Sequence, residues 1–586
     1  MVVTRTSIKK EKVNSTKMRK IVFIQAFFVI VFLASPVLAE QYHTTLLTVS
    51  QEGENGGTAD LYLELKPGSG RVFIDSYPVS RADTQFSTRF AKEIACDFLQ
   101  VNCNRYDFFY TIRTQSSIVG GPSAGAAVAV ITVAALDNQK INQNVAMTGT
   151  INSGGVIGPV AGILAKTEAA RQKGIDTVVI PSLSPLGLEY SDNETNTSDV
   201  NLSEAQDEEI IGNLSGEGFT IIQATDLYEA LPYFINKEYP APNTDFRIPE
   251  SYLSIMEMVS EDLCSRHKML REETQDFSNA TNETINRSNE AIAKNEFYAA
   301  ASFCFSDSIR LQRGLLANHS NEELLEVLQG TERKIFLLDK ELKSRNLSTI
   351  ADIETYAIVR ERLVEAREEL LELNASNISS TRLGYIVERT NSAYSWSDFF
   401  AMESKSYTIN DEYLSRACSQ KIAEADERIT YIESFLPDRF TGPVRDSLNI
   451  ARRDLATDEF AVCLFKASKT KAEANILSSV LSVTENRLVS LAEEKLLAVE
   501  RVLARQSERG LFPIMGYSYL EYGSSLVESD TYSALTFAEY ALEVGNLHLY
   551  FPPEEEFYFV VDWQLLIVFF SGVITGLGVF YFVLRK

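Results

Sequence analysis

One serine of this 586-residue chain lies in a stretch that suits a nucleophile. Ser123 stands in "GGPSAG", directly before the apolar run "AAVAVITVAAL". A nucleophilic serine needs a base beside its hydroxyl group, and N–H donors for the oxyanion that forms when it attacks a carbonyl. The same residues also suit an ordinary helix start, because serine is a preferred N-cap. The stretch alone leaves catalysis and helix capping both open.

Histidine, the usual base for a nucleophilic serine, is scarce in this chain. The four histidines are His43, His267, His319 and His548. Only the first lies in the part of the chain where strands and helices alternate, so a Ser-His-Asp triad is not expected. Lys166, which follows a long uncharged stretch, is the alternative base. Burial lowers the pKa of a lysine toward roughly 7–8, where the amine accepts a proton, whereas an exposed lysine on an amphipathic helix would not.

The segments around both residues alternate between strand and helix patterns. From Tyr42 to about Ile235, short β-rich runs separated by glycine turns alternate with helical runs, a pattern typical of an α/β domain. The sequence therefore predicts an α/β domain over residues 40–240.

From about Ser251 to Tyr550 the pattern is helical nearly throughout, which predicts an all-α region over residues 250–550. Three segments of this region align without gaps and carry aromatic and small residues at helical spacing. They begin at Phe297, Glu459 and Thr531. Packed helical hairpins need such residues, and both a helical repeat and a helical bundle contain such hairpins.

Both ends of the chain carry membrane signals. A basic leader precedes an apolar run, Ile21 to Leu33, and a small-residue site that ends at Ala39, so residues 1–39 are expected to be a cleaved signal peptide or an N-terminal anchor. The uncharged run 563–584 is long enough to span a bilayer, and Arg585 and Lys586 follow it. By the positive-inside rule, the chain between the two segments faces out of the cytoplasm, anchored in the cell membrane.

Two further features agree with an extracytoplasmic location. N-glycosylation sequons, which suit a glycoprotein, occur at Asn193, Asn196, Asn201, Asn213, Asn279, Asn282, Asn286, Asn318, Asn346, Asn374 and Asn377. The six cysteines occur in the order Cys96, Cys103, Cys264, Cys304, Cys418 and Cys463. An oxidising compartment would allow three bridges, but the sequence does not fix the pairing, and buried free thiols are the alternative.

Composition and missing motifs exclude several other functions. The formal net charge of −25 argues against nucleic acid as a partner, because binding phosphates needs clustered Lys and Arg. The sequence contains no C-x-x-C zinc pattern and no G-x-x-x-x-G-K-[ST] phosphate loop. Neither a metal nor ATP is therefore expected as a cofactor, and none other is indicated.

The stretch from about Ser116 to Pro181 resembles the proteolytic domain of Lon proteases. The family motif G-P-S-A-G is present at residues 121–125, and the family's A-M-T-G strand at residues 146–149. The family's lysine falls on Lys166, with the family's spacing from the serine. The resemblance implies a Lon-type α/β fold with Ser123 as nucleophile, Lys166 as base, and Thr148 as a hydroxyl that orients the amine.

The oxyanion donors are expected among backbone N–H groups at the start of the helix after Ser123, where the helix dipole favours negative charge. Because Pro122 has no N–H group, the candidates are the amides of Gly121, Ser123 and Ala124. Two residues depart from the family pattern: Gly120 stands where many members have an acid, and Ala161 replaces the first glycine of a Gly-Gly pair.

The expected function is an ATP-independent serine endopeptidase that cleaves unfolded or flexible polypeptides at the outer face of a membrane. This arrangement resembles membrane-associated Lon-like proteases of archaea that lack the ATPase domain. Lon-like domains commonly form rings, so the resemblance also suggests a homo-oligomer. The alternative is a non-enzymatic surface scaffold or receptor that binds a partner through its helical region.

Overall fold

The computed structural model describes residues 41–50, 55–114, 120–182, 215–216, 218–374, 377–434, 436–480, 487–551 and 563–584. The predicted leader at 1–39 lies outside the described residues, as do the four sequons between Asn193 and Asn213.

A seven-stranded sheet in the order β3-β4-β2-β1-β5-β8-β9 forms the centre of the α/β domain. The strands of the domain are β1 Gln41–Val49, β2 Gly56–Pro67, β3 Val72–Tyr77, β4 Tyr106–Thr114, β5 Val145–Met147, β6 Thr150–Ile151, β7 Ile157–Gly158, β8 Thr177–Pro181 and β9 Thr220–Ala224. Strand β2 pairs antiparallel with β1 and β4, whereas the other neighbours in this sheet are parallel. Strands β6 and β7 form a separate hairpin.

Within the described part of this domain, four helices flank the sheet and confirm the predicted α/β class. They are α1 Ala82–Leu99, α2 Gly125–Leu136, α3 Ile163–Lys173 and α4 Leu227–Phe234. Helix α2 is apolar on every side and buried from Gly125 to Ala135, as a helix enclosed by other elements must be. One predicted element differs: the A-M-T-G strand expected at residues 146–149 ends at Met147 with β5, and Thr148 and Gly149 lie between β5 and β6.

The helical region begins at Glu250. Its helices are α5 Glu250–Thr274, α6 Asn279–Ala293, α7 Phe297–Leu316, α8 Asn321–Lys343, α9 Ile350–Leu371, α10 Ser380–Trp396, α11 Asp411–Glu433, α12 Asp438–Ala456, α13 Phe460–Val480, α14 Leu488–Glu508, α15 Ile514–Leu526 and α16 Thr531–Val544. The three aligned segments lie on α7, α13 and α16, each of which packs against the helix before it. Helix α13 also packs against α9, α11 and α16, so these helices form a bundle and not an array in which each hairpin touches only its neighbours.

A buried ion-pair cluster of the helical region contacts the α/β domain. Lys421 on α11 pairs with Glu543 on α16 at 2.5 Å, and Lys471 on α13 lies 3.3 Å from the same carboxylate. Glu543 also accepts a hydrogen bond of 2.9 Å from Ser153, in the turn between β6 and β7. The Lys471 ammonium lies 3.8 Å from the ring centre of Phe90 on α1. The two regions therefore share a charged interior as well as an apolar one.

Disulfides Cys96–Cys103, Cys264–Cys304 and Cys418–Cys463 pair the six cysteines in sequence order. The first lies in the α/β domain and the others join helices α5 to α7 and α11 to α13. Residues Trp563–Leu584 form a helix, α17. In the part of the chain that the structure describes, no helix has the length and apolar character that crossing a membrane requires, so the predicted span at 563–584 has no structural support.

Replacing Lys421 by Met is expected to lower the free energy of unfolding by roughly 3 kcal/mol, because one partner of a buried ion pair would be lost. The loss should appear in urea unfolding followed by circular dichroism. Arg416→Ala, on the same helix, is the control: it breaks an exposed pair with Glu412 and should change stability little. An unchanged free energy of unfolding in the Lys421 variant would mean that this buried ion pair does not stabilise the fold.

Candidate active site

Ser123 lies in the turn that leads into helix α2, and its side chain is half-buried. The helix begins at Gly125 with Ala124 in the cap position, so Ser123 does not supply the cap. The turn is closed by a hydrogen bond of 2.9 Å from the Gly125 N–H to the Pro122 carbonyl. Of the two interpretations of this serine, the structure disfavours capping.

Thr148 follows β5, a buried central strand, and its backbone interlocks with the serine turn. The Gly149 N–H donates to the Ser123 carbonyl at 2.9 Å, and the Ala126 N–H donates to the Gly149 carbonyl at 3.1 Å. The Thr148 hydroxyl lies 3.4 Å from the Ser123 carbonyl oxygen, to which it donates. These bonds fix the serine turn against the end of the central strand.

Lys166 lies in the first turn of α3 and is 1% exposed. Its Nζ atom donates to the Thr148 hydroxyl oxygen at 3.1 Å. Burial lowers the pKa of Lys166 from 10.5 to about 7, and no charged group contributes to this shift. Ser123 makes no direct hydrogen bond to Lys166 within the described residues, so in this structure Thr148 connects the two. Such bonds are often long in unliganded enzymes and shorten when substrate binds.

The three predicted oxyanion donors differ in their availability. The Gly121 N–H donates to the Asp83 carboxylate at 3.0 Å and is therefore occupied. The N–H groups of Ser123 and Ala124 make no hydrogen bond to any described residue, which leaves them to bind an oxyanion. Gly121 adopts a φ of +93°, a backbone conformation that favours glycine.

Two residues near the site were not predicted from the sequence. Asp83, at the start of α1, accepts the Gly121 N–H bond and so holds the segment just before the serine. The Tyr431 hydroxyl, on α11, accepts a hydrogen bond of 3.1 Å from the Ala161 N–H, close to the start of the lysine helix. Neither carries a local signal, because both approach the site from elements distant in the sequence.

The histidines have other partners. His43 on β1 contacts Gln143 and Asp60, while His267 and His548 contact Asp307 and Asp97. Across the described ranges, no three His, Cys, Asp or Glu side chains are grouped so that they could hold a metal ion. Lys166, which contacts Thr148 beside the serine turn, is the candidate base in this part of the structure.

Comparison with known proteins identifies a related domain. The sequence model of the Lon protease (S16) C-terminal proteolytic domain matches residues 115–199. The site domain is similar to that of Lon proteases. This confirms the predicted resemblance and supports a peptidase, that is, a hydrolase of peptide bonds.

Three curated relatives show the extent of the similarity. The Lon protease of Fervidobacterium nodosum is 31% identical over 139 residues, which cover 23% of this chain and 17% of that protein. The archaeal Lon protease of Thermoplasma acidophilum is 39% identical over 74 residues, 13% of this chain and 10% of that protein. Lon protease 1 of Bacillus subtilis is 26% identical over 186 residues, 30% of this chain and 21% of that protein. The chain thus spans about a fifth or less of the length of these relatives.

Replacing Lys166 by Met is expected to stabilise the protein. The pKa of Lys166 is lower in the folded than in the unfolded state, so between about pH 7 and 10.5 the unfolded state binds more protons and stability rises with pH. At pH 7, keeping the buried amine neutral therefore lowers the free energy of unfolding by roughly 4 kcal/mol. A methionine at this position would carry no such penalty. Urea unfolding of the Lys166→Met variant should show a gain in the free energy of unfolding at pH 7. At pH 10.5 the gain should be nearly absent.

Lys173→Met on the same helix is the matched control, because this lysine is exposed and faces Asp60. It should give no such gain. A gain for Lys166→Met that is equal at both pH values would contradict burial of the neutral amine.

Proposed function

We propose that this chain is a serine peptidase in which Ser123 is the nucleophile and Lys166 the base, acting without ATP on unfolded or flexible polypeptides. One observation carries the proposal: a fully buried lysine without a counter-charge, 3.1 Å from the hydroxyl of Thr148 in the turn that fixes Ser123. Paired lysines stabilise structure, whereas an unpaired buried amine near neutrality suits proton transfer.

Acylation follows from this arrangement. The neutral amine of Lys166 donates one N–H to Thr148, which leaves its lone pair to take the proton of the Ser123 hydroxyl. The serine oxygen then bonds to the carbonyl carbon of the substrate, and the oxyanion accepts hydrogen bonds from the Ser123 and Ala124 N–H groups. The lysine ammonium gives its proton to the leaving nitrogen as the C–N bond breaks, and an ester to Ser123 remains.

Deacylation repeats the same steps with water. The Lys166 amine takes a proton from a water molecule, whose oxygen bonds to the ester carbon. The serine oxygen leaves and receives the proton back from the ammonium, so enzyme and base return to their initial states. Cleavage of a peptide bond requires no nucleotide in this cycle.

Independence from ATP is supported by the sequence, which contains no phosphate-loop motif. Without an ATP-driven unfolding step, the substrates are polypeptides that already expose an extended segment. The helical region contacts the segments beside the proposed site through α11.

We also propose, from the sequence of its two ends, that the chain is membrane-anchored with the catalytic domain outside the cytoplasm. The basic leader, the uncharged run 563–584 with the basic residues after it, and the sequons support this location. Pairing of all six cysteines in the structure agrees with an oxidising compartment.

Ser123→Ala and Lys166→Ala should each lower the rate of casein degradation by at least about a thousandfold, because each removes one half of a two-residue catalytic unit. Activity of the unaltered protein should be the same with and without ATP, and should rise with pH through about 7 as Lys166 loses its proton. The assay needs detergent-solubilised protein and a fluorescent casein. Lys173→Ala, on the same helix, should retain full activity. Unchanged degradation by the Ser123 variant would refute Ser123 as the nucleophile, whereas no degradation by the unaltered protein would favour the scaffold alternative.

The proposed location has its own test. Removing residues 563–586 should release the protein from the membrane fraction, and protein from its own cells should carry glycans. Alkylation without prior reduction should label none of the six cysteines. Complete labelling, together with an unchanged membrane fraction after truncation, would place the protein in a reducing compartment without this anchor.

A further inference from the structure

Helix α11 presents one face to the α/β domain. Lys421, Arg428 and Tyr431 are seven and three residues apart, so they lie on the same side of the helix. Lys421 pairs with the carboxylate that binds Ser153. The other two contacts are direct: Arg428 donates to the Asn152 side-chain oxygen at 2.8 Å, and the Tyr431 hydroxyl accepts from the Ala161 N–H at 3.1 Å. One helix thus holds both ends of the segment that leads into the lysine helix.

The start of helix α3 depends on this support. Its cap residue, Gly162, has a φ of +70° and no side chain with which to cap the helix. The first N–H groups of a helix lack partners within the helix, so the chain entering it is fixed by contacts from outside. Ala161, the residue before the cap, obtains its N–H partner from Tyr431, which is 270 residues away in the sequence.

Lys166 is directly coupled to this start. Its backbone N–H donates to the Gly162 carbonyl at 3.0 Å, which places it in the first turn of α3. A shift of the Ala161–Gly162 peptide would therefore move the lysine backbone and, with it, the amine that contacts Thr148.

We propose that Tyr431 is a positioning residue for Lys166, through which the helical region sets the geometry of the proton-transfer site. This inference rests on the proposed peptidase function. It makes the helical region a necessary part of the catalytic unit, in addition to any role in binding partners.

The environment of Lys166 makes this role measurable. Burial alone lowers its pKa, and the charged pairs of α3, Arg171 with Glu168 and Lys173 with Asp60, lie toward the other end of the helix. Loosening the first turn would admit water to the amine and raise its pKa toward 10.5. A purely structural tyrosine would lower stability without moving this titration.

Tyr431→Phe is the decisive variant, because it removes the hydroxyl and keeps the ring. We expect kcat to fall about tenfold with KM nearly unchanged, as for a base displaced by a fraction of an ångström. The midpoint of the kcat–pH curve should also move upward. The reactivity of the Lys166 amine toward acetic anhydride across pH, measured by mass spectrometry, should show the same upward shift without reference to activity.

Tyr540→Phe is the matched control. This tyrosine on α16 is also half-buried in the helical region and donates to Glu473 at 2.9 Å. It should leave kcat and both titrations unchanged. Wild-type kcat and titrations in Tyr431→Phe would overturn the proposal, as would equal losses in both variants with an unmoved midpoint.

The two proposals can fail separately. Casein degradation by Ser123→Ala would refute Ser123 as the nucleophile of the proposed peptidase. The acetylation titration of Tyr431→Phe would still show whether this hydroxyl controls the environment of Lys166.

Discussion

The site depends on the burial of one lysine amine, which is removed from water and has no carboxylate beside it. Among the described residues, the hydroxyl of Thr148 is the one side-chain hydrogen-bond partner of the Lys166 amine. A buried amine that is neutral near pH 7 lowers the stability of the folded state, and other interactions of the fold must offset this loss. Helix α3, which carries Lys166, packs on strands β1, β2 and β8, and the residues after β5 fix the serine turn.

The same chain contains buried lysines of the opposite kind. Although burial opposes its charge, the carboxylates of Glu543 and Glu424 hold the pKa of Lys421 above its usual value. The carboxyl of Glu543 is buried as well, yet Lys421 and Lys471 lower its pKa to about 2. Lys421 and Glu543 therefore remain ionised, and the cluster contacts the α/β domain through Ser153 and Phe90. A buried lysine with a carboxylate beside it, such as Lys421, stays charged and serves the structure. A buried lysine without one, such as Lys166, suits the proton transfer proposed for it.

The contact between the two regions explains why the helical half cannot be regarded as a separate attachment. The turn at Asn152 and the start of α3 both depend on α11, and the turn at Ser153 also binds the charged network of α16. In addition, Arg505 on α14 donates to the Gly154 carbonyl at 3.3 Å. Segments that adjoin the proposed catalytic residues are thus held by side chains from the helical region.

Local sequence patterns determined much of this protein. The strand and helix periodicities predicted the α/β domain and the helical region, because burial of one face imposes those periods on the sequence. The motif around Ser123 and the uncharged stretch before Lys166 identified both predicted catalytic residues. Even the left-handed Gly174 at the end of α3 follows from local chemistry, since glycine is preferred there.

Only the tertiary structure decided the contacts that make these residues a site. Sequence suggested Gly121 as an oxyanion donor, but Asp83 from α1 occupies its N–H group. The sequence did not distinguish a helical bundle from a helical repeat, and it gave no indication that Tyr431 approaches the site. Among the aligned aromatic residues, Tyr298 is 8% exposed and Tyr532 is 54% exposed, so equal patterns have unequal surroundings. Periodicity records whether a residue is buried, but not which distant side chain covers it, and that choice is made when the helices pack.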